Sequence, residues 1–472
     1  MPEWLSVVPP IVAIAVAVWK REVILALCSG IWLSEWLMVC RDLNEKTAAA
    51  WEWLLSPGTA VVQALERAVA VFEGGNTRVL LFCLLVGGLI ELMRVSGGVK
   101  GFVASLSRRG LGKTPRQAGI LTMMVGVLVW METSMSCLAA GMVGMPLFDR
   151  FKLSRERLAF ILDSTCAPIS VIILFNGWGG YVLGLISEDS YQIASPVNVL
   201  VGSIGFNFYA LLILGLVAFT VISGRTFGPL RRAEAELAVR EESAEAVADR
   251  LGQDEIAVGK TRYMLLPLAI MVVLMIVFLI QTGSGSRSVL WSVSIALVVT
   301  VVYMVRDGAF SYPRALELGY QGMGKLLPLV LLMLLAFTIG KSCRELGTGV
   351  FVAGWIGTTL PAVAIAPLLF LAGALMSFTT GTSWGTFAIL IPVGMPLAAT
   401  FGLPHSLFLA AILGGGVFGD HCSPISDTTL VASLAAGCDL LDHVRTQLPY
   451  ALVAGGGALI LYTLAGLVLQ AG

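Results

Sequence analysis

Hydrophobic positions in this chain neither alternate nor mark one face of a helix; they run on without a break. Apolar stretches lie near Leu5–Trp19, Val23–Val39 and Val79–Val95, then over Ala118–Phe148, Leu158–Ile186 and Pro196–Ile222. One long polar tract, Arg225–Arg262, interrupts them with sequence such as RRAEAELAVREESAEAVADR, which has no apolar face to bury. Beyond it come Tyr263–Ile280, Val289–Val305, Leu326–Ile339, Val350–Thr400, Ser406–Ala436 and Leu448–Leu469. Apolar runs of about 17–25 residues are what a helix needs to cross the hydrocarbon of a bilayer. Lipid offers the backbone no hydrogen-bond partner, so such runs must be helical. The pattern predicts an all-α polytopic membrane protein, with a linker at 225–262 between membrane units at 1–224 and 263–472. The weaker, amphipathic segments Thr47–Phe72 and Gly308–Gly324 are expected to lie along the interface.

Composition sharpens this. Of 472 residues, 57% are hydrophobic and 13% charged, with 52 glycines and no net charge; the mean hydropathy is +0.88. Soluble domains carry about 25% charged residues, so a soluble enzyme, a nucleic-acid binder and a disordered chain are excluded. Eight cysteines stand singly inside apolar segments with no C-x-x-C pair, and are expected to be small buried hydrophobes. Three histidines are too few for a typical haem or zinc membrane enzyme, and no cofactor is expected. The opening MPEWLSVVPP lacks a basic n-region and a cleavage site, and is read as the first span, not a signal peptide.

Positive charge orients the spans. Arg231, Arg232, Arg240, Arg250, Lys260 and Arg262 place the linker in the cytoplasm. The loops at Lys100–Arg116 and Arg150–Arg157 are as basic, yet only Ala118–Phe148 lies between them. A re-entrant hairpin over about 118–148 resolves the conflict, turning at Trp130-Met-Glu-Thr-Ser-Met-Ser136. The second half repeats the layout. Val143-Gly-Met-Pro-Leu147 recurs as Val393-Gly-Met-Pro-Leu397, 250 residues on, and Cys166-Ala-Pro-Ile-Ser170 as Cys422-Ser-Pro-Ile-Ser426, 256 on. Ser96-Gly-Gly-Val99 echoes Gly347-Thr-Gly-Val350. These matches predict two inverted-topology repeats, a six-residue gain in the second, and a second hairpin over about 361–400, turning at Thr379–Ser383.

Each repeat also holds a polar cluster inside apolar sequence, where a broken helix is expected: about 158–186 and about 406–436. Pro424 disfavours helix at Ser423, and Ser426 or Asp427 can cap the half-helix beyond it; Pro168 is placed to start the first copy's half-helix. Unwound carbonyls, hydroxyls and carboxylates are the hard oxygen donors that Na⁺ takes. A carboxylate at the bilayer centre costs roughly 2.5–3.5 kcal/mol on insertion scales, so Asp163, Asp420, Asp427 and Glu132 argue for use. The bland alternatives are an N-cap for Asp427 and structural burial for the other two aspartates. The ion site is assigned to Asp163, Ser164, Thr165, Asp420, Ser423, Ser426, Asp427 and Thr428, with Na⁺ at Asp163 and Asp420. Asp163, Asp420 and Glu132 are proton-coupling candidates, and Thr133, Ser134, Thr382 and Ser383 form the hairpin tips. Glu91 with Arg94, and Lys341 with Glu345, have pairing spacings; Glu35 sits among interfacial tryptophans; Trp178 and Trp384 fall beside the site; His421 is read as a donor to Asp420.

The run Gly419-Asp-His-Cys-Ser-Pro-Ile-Ser-Asp-Thr-Thr429 resembles the signature of the NhaC family of Na⁺/H⁺ antiporters, and Asp163-Ser-Thr-Cys-Ala-Pro168 is similar to that family's first-repeat stretch. The resemblance is clearest from Val79 to Thr446. Cys166 and the Asn176-Gly-Trp-Gly-Gly180 tract depart from the family pattern. It implies an ion-transporter fold of inverted repeats and exchange of Na⁺ or Li⁺ for H⁺ by alternating access in the inner (plasma) membrane. The expected partners are the lipid bilayer, Na⁺ and H⁺, with no nucleic acid, and the pattern is compatible with a homodimer. The alternative within transport is a Na⁺- or H⁺-coupled carrier of a small organic acid or amino acid. An intramembrane hydrolase with an Asp163/Asp420 dyad is disfavoured by the duplicated hairpins and the lack of a G-x-G-D motif.

Overall fold

The computed structural model describes residues 2–20, 22–46, 49–72, 75–108, 113–130, 132–173, 176–187, 191, 193–237, 259–282, 284–348, 351, 361–424 and 426–471. Met131, Arg109, Arg240, Arg250 and most of the linker lie outside the described residues. Every regular element among those described is helical. In chain order they are α1 (Val8–Lys20), α2 (Val23–Glu45), α3 (Ala50–Ala70), α4 (Gly75–Val95), α5 (Gly98–Arg108), α6 (Pro115–Leu128), α7 (Thr133–Arg150), α8 (Arg155–Ile172), α9 (Gly177–Ile186) and α10 (Pro196–Phe206). Then come α11 (Phe208–Ser223), α12 (Gly228–Leu237), α13 (Arg262–Thr282), α14 (Gly285–Arg306), α15 (Tyr312–Glu345), α16 (Ile365–Thr380), α17 (Ser383–Phe401), α18 (His405–Cys422), α19 (Asp427–Ala436) and α20 (Leu440–Ala471). Among the described residues eight helices are long and apolar enough to cross a membrane, or up to ten if each bent pair counts as one. This is an integral membrane protein.

The helices keep a common register between the two halves. α6, α7, α8 and α9 begin at residues 115, 133, 155 and 177; α16, α17, α18 and α19 begin at 365, 383, 405 and 427, each 250 further on. Backbone detail keeps the same interval. Gly97 and Gly347, just past α4 and α15, share φ values of 69° and 76°, and Lys152 (φ 53°) matches Gly402 (φ 63°). The expected six-residue gain is therefore not there. Cys166 lies inside α8 while Cys422 ends α18, so their shared motif does not mark equivalent positions. At the 250 interval Asp420 faces Ser170, and Asp163 faces Leu413.

Other expectations also shift. Pro168 does not open a half-helix; α8 runs through it and stops at Ile172. Residues 312–324 are not a separate interfacial segment but the first turns of the 34-residue α15. The stretch Pro196–Ile222 is divided at buried Asn207, which caps α11 by accepting from Ala210 N at 3.4 Å. Glu35 is not an interfacial neighbour: it is fully buried, where it ion-pairs with Arg67 and accepts from Ser342 Oγ at 2.7 Å. Glu345 pairs with Arg67. Glu91 does pair with Arg94, at 2.7 Å, and also with Lys325 at 2.7 Å. All eight cysteines are free, and five are buried.

Small residues let the helices approach closely, as van der Waals contact requires where lipid removes the hydrophobic drive. A Cβ on Gly87 of α4 would stand 2.5 Å from the Gly322 carbonyl oxygen of α15, and one on Gly415 of α18 would stand 2.3 Å from that of Phe370 in α16. At the start of α13, Lys260 above all, with Tyr263 and Arg262, holds the half-buried Asp307 carboxyl down to about 2. The Glu35–Arg67 pair is a different case, since removing one partner strands a buried charge. Glu35→Ala should lower stability by about 3 kcal/mol, read as a lower melting temperature of detergent-purified protein, and Arg67→Ala by a similar amount.

Candidate functional site

Both halves break a helix in the same place. α8 and α9 meet at 45°, α18 and α19 at 49°. A helix that starts inside the protein leaves its first backbone N–H groups unpaired, and in apolar surroundings these must be satisfied by side chains. Asn176 caps α9: Oδ1 accepts from Gly179 N at 3.0 Å, while Nδ2 donates to the Ser170 carbonyl at 2.7 Å and to that of Trp130 at 3.1 Å. The Asn-Gly-Trp tract is thus the true hinge of the first half. Ser426 holds the equivalent N-cap position of α19, its Oγ 3.0 Å from Thr428 Oγ1.

The hairpin tips are capped by carboxylates, in two different ways. Glu132 caps α7 itself, accepting from Ser134 N at 2.9 Å and Met135 N at 2.6 Å. Its counterpart Thr382 makes no side-chain cap bond. Instead Asp420, reaching across from α18, accepts from Ser383 N at 3.1 Å, from Ser383 Oγ and from Ser377 Oγ at 2.9 Å. The matching contact in the first half is neutral: Thr133 Oγ1 donates to Ser170 Oγ at 3.1 Å. Asp420 therefore ties its hairpin tip to its helix break, the task that Ser170 performs opposite it.

Asp163 has other company. It is fully buried in the middle of α8. Its Oδ2 accepts from Gln447 Nε2 at 2.7 Å and Thr429 Oγ1 at 3.2 Å, and lies 3.3 Å from His443 Nε2. Its Oδ1 has no hydrogen-bond partner among the described residues, and the same holds for Thr165 Oγ1 and His421 Nε2. His421 faces Asp163, 4.0 Å from Nε2 to Oδ1, and not Asp420; its Nδ1 bonds Tyr209 Oη at 2.8 Å. Two side chains join the aspartates' surroundings. Thr429 Oγ1 also bonds the Asp420 carbonyl at 3.1 Å, and Gln447 Nε2 the His421 carbonyl at 3.0 Å. Ser164 Oγ donates to Gln447 Oε1 at 3.3 Å.

The residues assigned from sequence fall into three neighbouring groups. Asp163, Ser164 and Thr165 form one. Asp420 and Ser383 form the second, beside Ser423, whose Oγ donates to the Phe378 carbonyl at 2.8 Å. Glu132, Thr133, Ser134, Thr382, Asp427 and Thr428 line a cavity of about 430 Å³. Trp178 and Trp384 line it too, their rings 4.3 Å apart. His443 and Gln447 escaped the sequence reading, as did Ser377 and Tyr209. The signal for the first two was there: His443, Gln447 and Tyr450 recur at i, i+4 and i+7, one polar face at the start of an otherwise apolar helix.

A helical membrane protein with two bent helix pairs, each beside a capped hairpin, and a buried carboxylate on the first helix of each pair has the makings of a membrane transporter. Residues 171–467 match the Na⁺/H⁺ antiporter family, and the chain belongs to that family. It is 30% identical to an uncharacterised protein of Haemophilus influenzae, over 98% of this chain and 90% of that one. It is 37% identical over 126 residues to the malate-2H⁺/Na⁺-lactate antiporter of Bacillus subtilis, a match covering 25% of this chain and 27% of that. Its fold resembles that of the YdaH transporter of Alcanivorax borkumensis, with a TM-score of 0.57 and 17% identity over 86% of this chain and 88% of that. Gln447→Leu would take from Asp163 Oδ2 the shortest of its three contacts and remove the side-chain donor to the His421 carbonyl. A hydrogen bond to a charged group contributes about 1.5–3 kcal/mol, so this variant should melt below Thr446→Val, whose hydroxyl bonds only its own helix.

Proposed function

We propose that the protein exchanges Na⁺ for H⁺ by alternating access, with Asp163 as the carboxylate for which the two ions compete. The observation that carries this is the state of Asp163: fully buried, one oxygen held by a ring of polar groups and the other without a hydrogen-bond partner among the described residues. A bare carboxylate oxygen beside the Thr165 hydroxyl is a hard-oxygen site for a small cation, and a proton satisfies the same oxygen equally well. Asp420 is the second site carboxylate. Its lone pairs hold the tip of the second hairpin, so in this scheme cation binding and tip position are coupled. Ser423, Ser426, Asp427 and Thr428 surround the break through which ions reach it. Glu132 takes the role of an additional proton carrier, since protonation would weaken its hold on the α7 amides. Family membership supports the exchange; the matched 250-residue register supports two repeats of opposite topology, with α6–α7 and α16–α17 as re-entrant hairpins and the linker on the cytoplasmic side of the plasma membrane.

A Na⁺- or H⁺-coupled carrier of a small organic acid or amino acid is the second reading. The partial match to a malate/lactate antiporter and a cavity far larger than a bare ion favour it.

In proteoliposomes, a Na⁺ pulse should alkalinise the lumen or acidify it according to the gradient, and Asp163→Asn and Asp420→Asn should each abolish the response in folded protein. Because one carboxylate serves both ions, apparent Na⁺ affinity should weaken as pH falls, by up to about tenfold per unit for each proton displaced. An affinity flat across pH would rule out direct competition. A cysteine placed at Arg155 should react only with reagents on the cytoplasmic side; labelling from outside would sink the re-entrant hairpin.

A further inference from the structure

The cavity between the hairpin tips is distinct from the Asp163 cluster, and its chemistry is one-sided. The positions where an anionic substrate would dock, the N-terminal amides of α7 and α17, already hold protein carboxylates. Glu132 takes Ser134 N and Met135 N, and Asp420 takes Ser383 N. A substrate carboxylate would have to displace a tethered one and then sit beside its charge. For a cation the same arrangement is favourable. An ionised carboxylate offers about four acceptor positions, and the amides use two of those on Glu132. Asp427 presents its exposed carboxylate to the cavity as well. Glu22 lines the wall, and the lining base Lys325 is drawn to Glu91 at 2.7 Å.

The remaining wall is largely apolar, with the indoles of Trp178 and Trp384 packed at 4.3 Å. Hard-oxygen donors for a bare Na⁺ are gathered at the helix tips, while the indoles and aliphatic side chains of the remaining wall offer it nothing. An organic cation is suited by both features: aromatic faces attract ammonium groups, and hydrocarbon is desolvated against apolar side chains. A volume of about 430 Å³ is in the range of small-molecule sites.

We propose that this cavity binds an organic ammonium ion, its charge between Glu132 and Asp427 and its hydrocarbon against Trp178 and Trp384. The proposal rests on the transporter reading only in taking the cavity as part of the transport path. The test uses purified full-length protein in detergent, with 1,5-diaminopentane as the ammonium probe and malate as its anionic counterpart, followed by calorimetry and tryptophan fluorescence. Saturable diamine binding that perturbs the fluorescence is expected, with malate binding at least about tenfold weaker. Asp427→Asn should weaken diamine binding by about tenfold or more, and Trp384→Leu should remove most of the fluorescence change. Glu132→Gln should act like Asp427→Asn; if it fails to fold, the Asp427 variant alone decides. Malate binding tighter than diamine, no saturable diamine binding, or an Asp427→Asn affinity equal to that of the parent protein would overturn the proposal. Na⁺-driven proton flux, measured separately in liposomes, keeps the readings apart: flux without diamine binding ends this proposal and spares antiport, and diamine binding without flux does the reverse.

Discussion

Four helices begin inside this protein, around an interior cavity, and the site is built from their first amides and the groups that meet them. In a soluble protein a helix that starts at the surface can leave its first N–H groups to solvent; within apolar surroundings each unpaired group costs several kcal/mol. The chain meets the demand with Asn176 on α9, Glu132 on α7 and Asp420 on α17, while Ser426 at the head of α19 makes no side-chain cap bond. Caps at such positions cannot be separated from function. The same side chains that allow a helix to stop midway put carboxylates and amides around a shared interior.

The two halves solve the problem unequally, and the inequality assigns the work. With helix boundaries in a common register, Glu132 stands opposite Thr382 and Asp420 opposite Ser170. Each half thus has one acid at its hairpin tip, supplied locally in the first and from the broken helix in the second. Asp163 stands opposite Leu413 and caps nothing. Unlike Glu132 and Asp420 it accepts no backbone N–H among the described residues, and its neighbours come from α18, α19 and α20. The two tip acids thus carry structural tasks that Asp163 does not share.

Packing makes this arrangement definite. α7 lies against α19, and α9 against α17, so each hairpin touches the broken helix of the opposite half. The contacts are close because the facing residues are small, as at Gly141, where a Cβ would stand 2.5 Å from the Ala435 carbonyl oxygen. A displacement of either hairpin would therefore disturb packing in the opposite half.

The residues alone determined an all-helical membrane protein, and they pointed to paired helices near residues 118–148 and 361–400, to polar clusters that interrupt apolar runs, and to Asp163 and Asp420 as buried acids. These are local consequences of hydrocarbon thickness and backbone satisfaction, and each can be read from a window of some twenty residues. Register between the halves was misread, because Cys166-Ala-Pro and Cys422-Ser-Pro match in letters but stand at different depths in their helices. Proline within α8 is tolerated where packing supports the turn around it, so it could not locate the break. Glu35, His443 and Gln447 likewise acquired their roles only in three dimensions. Glu35 meets Arg67 and Ser342, 32 and 307 residues away along the chain, while His443 and Gln447 meet Asp163 across 280 and 284. No pattern in the chain encodes which polar side chain will meet which; that is decided when the helices pack and every buried polar group must find a partner.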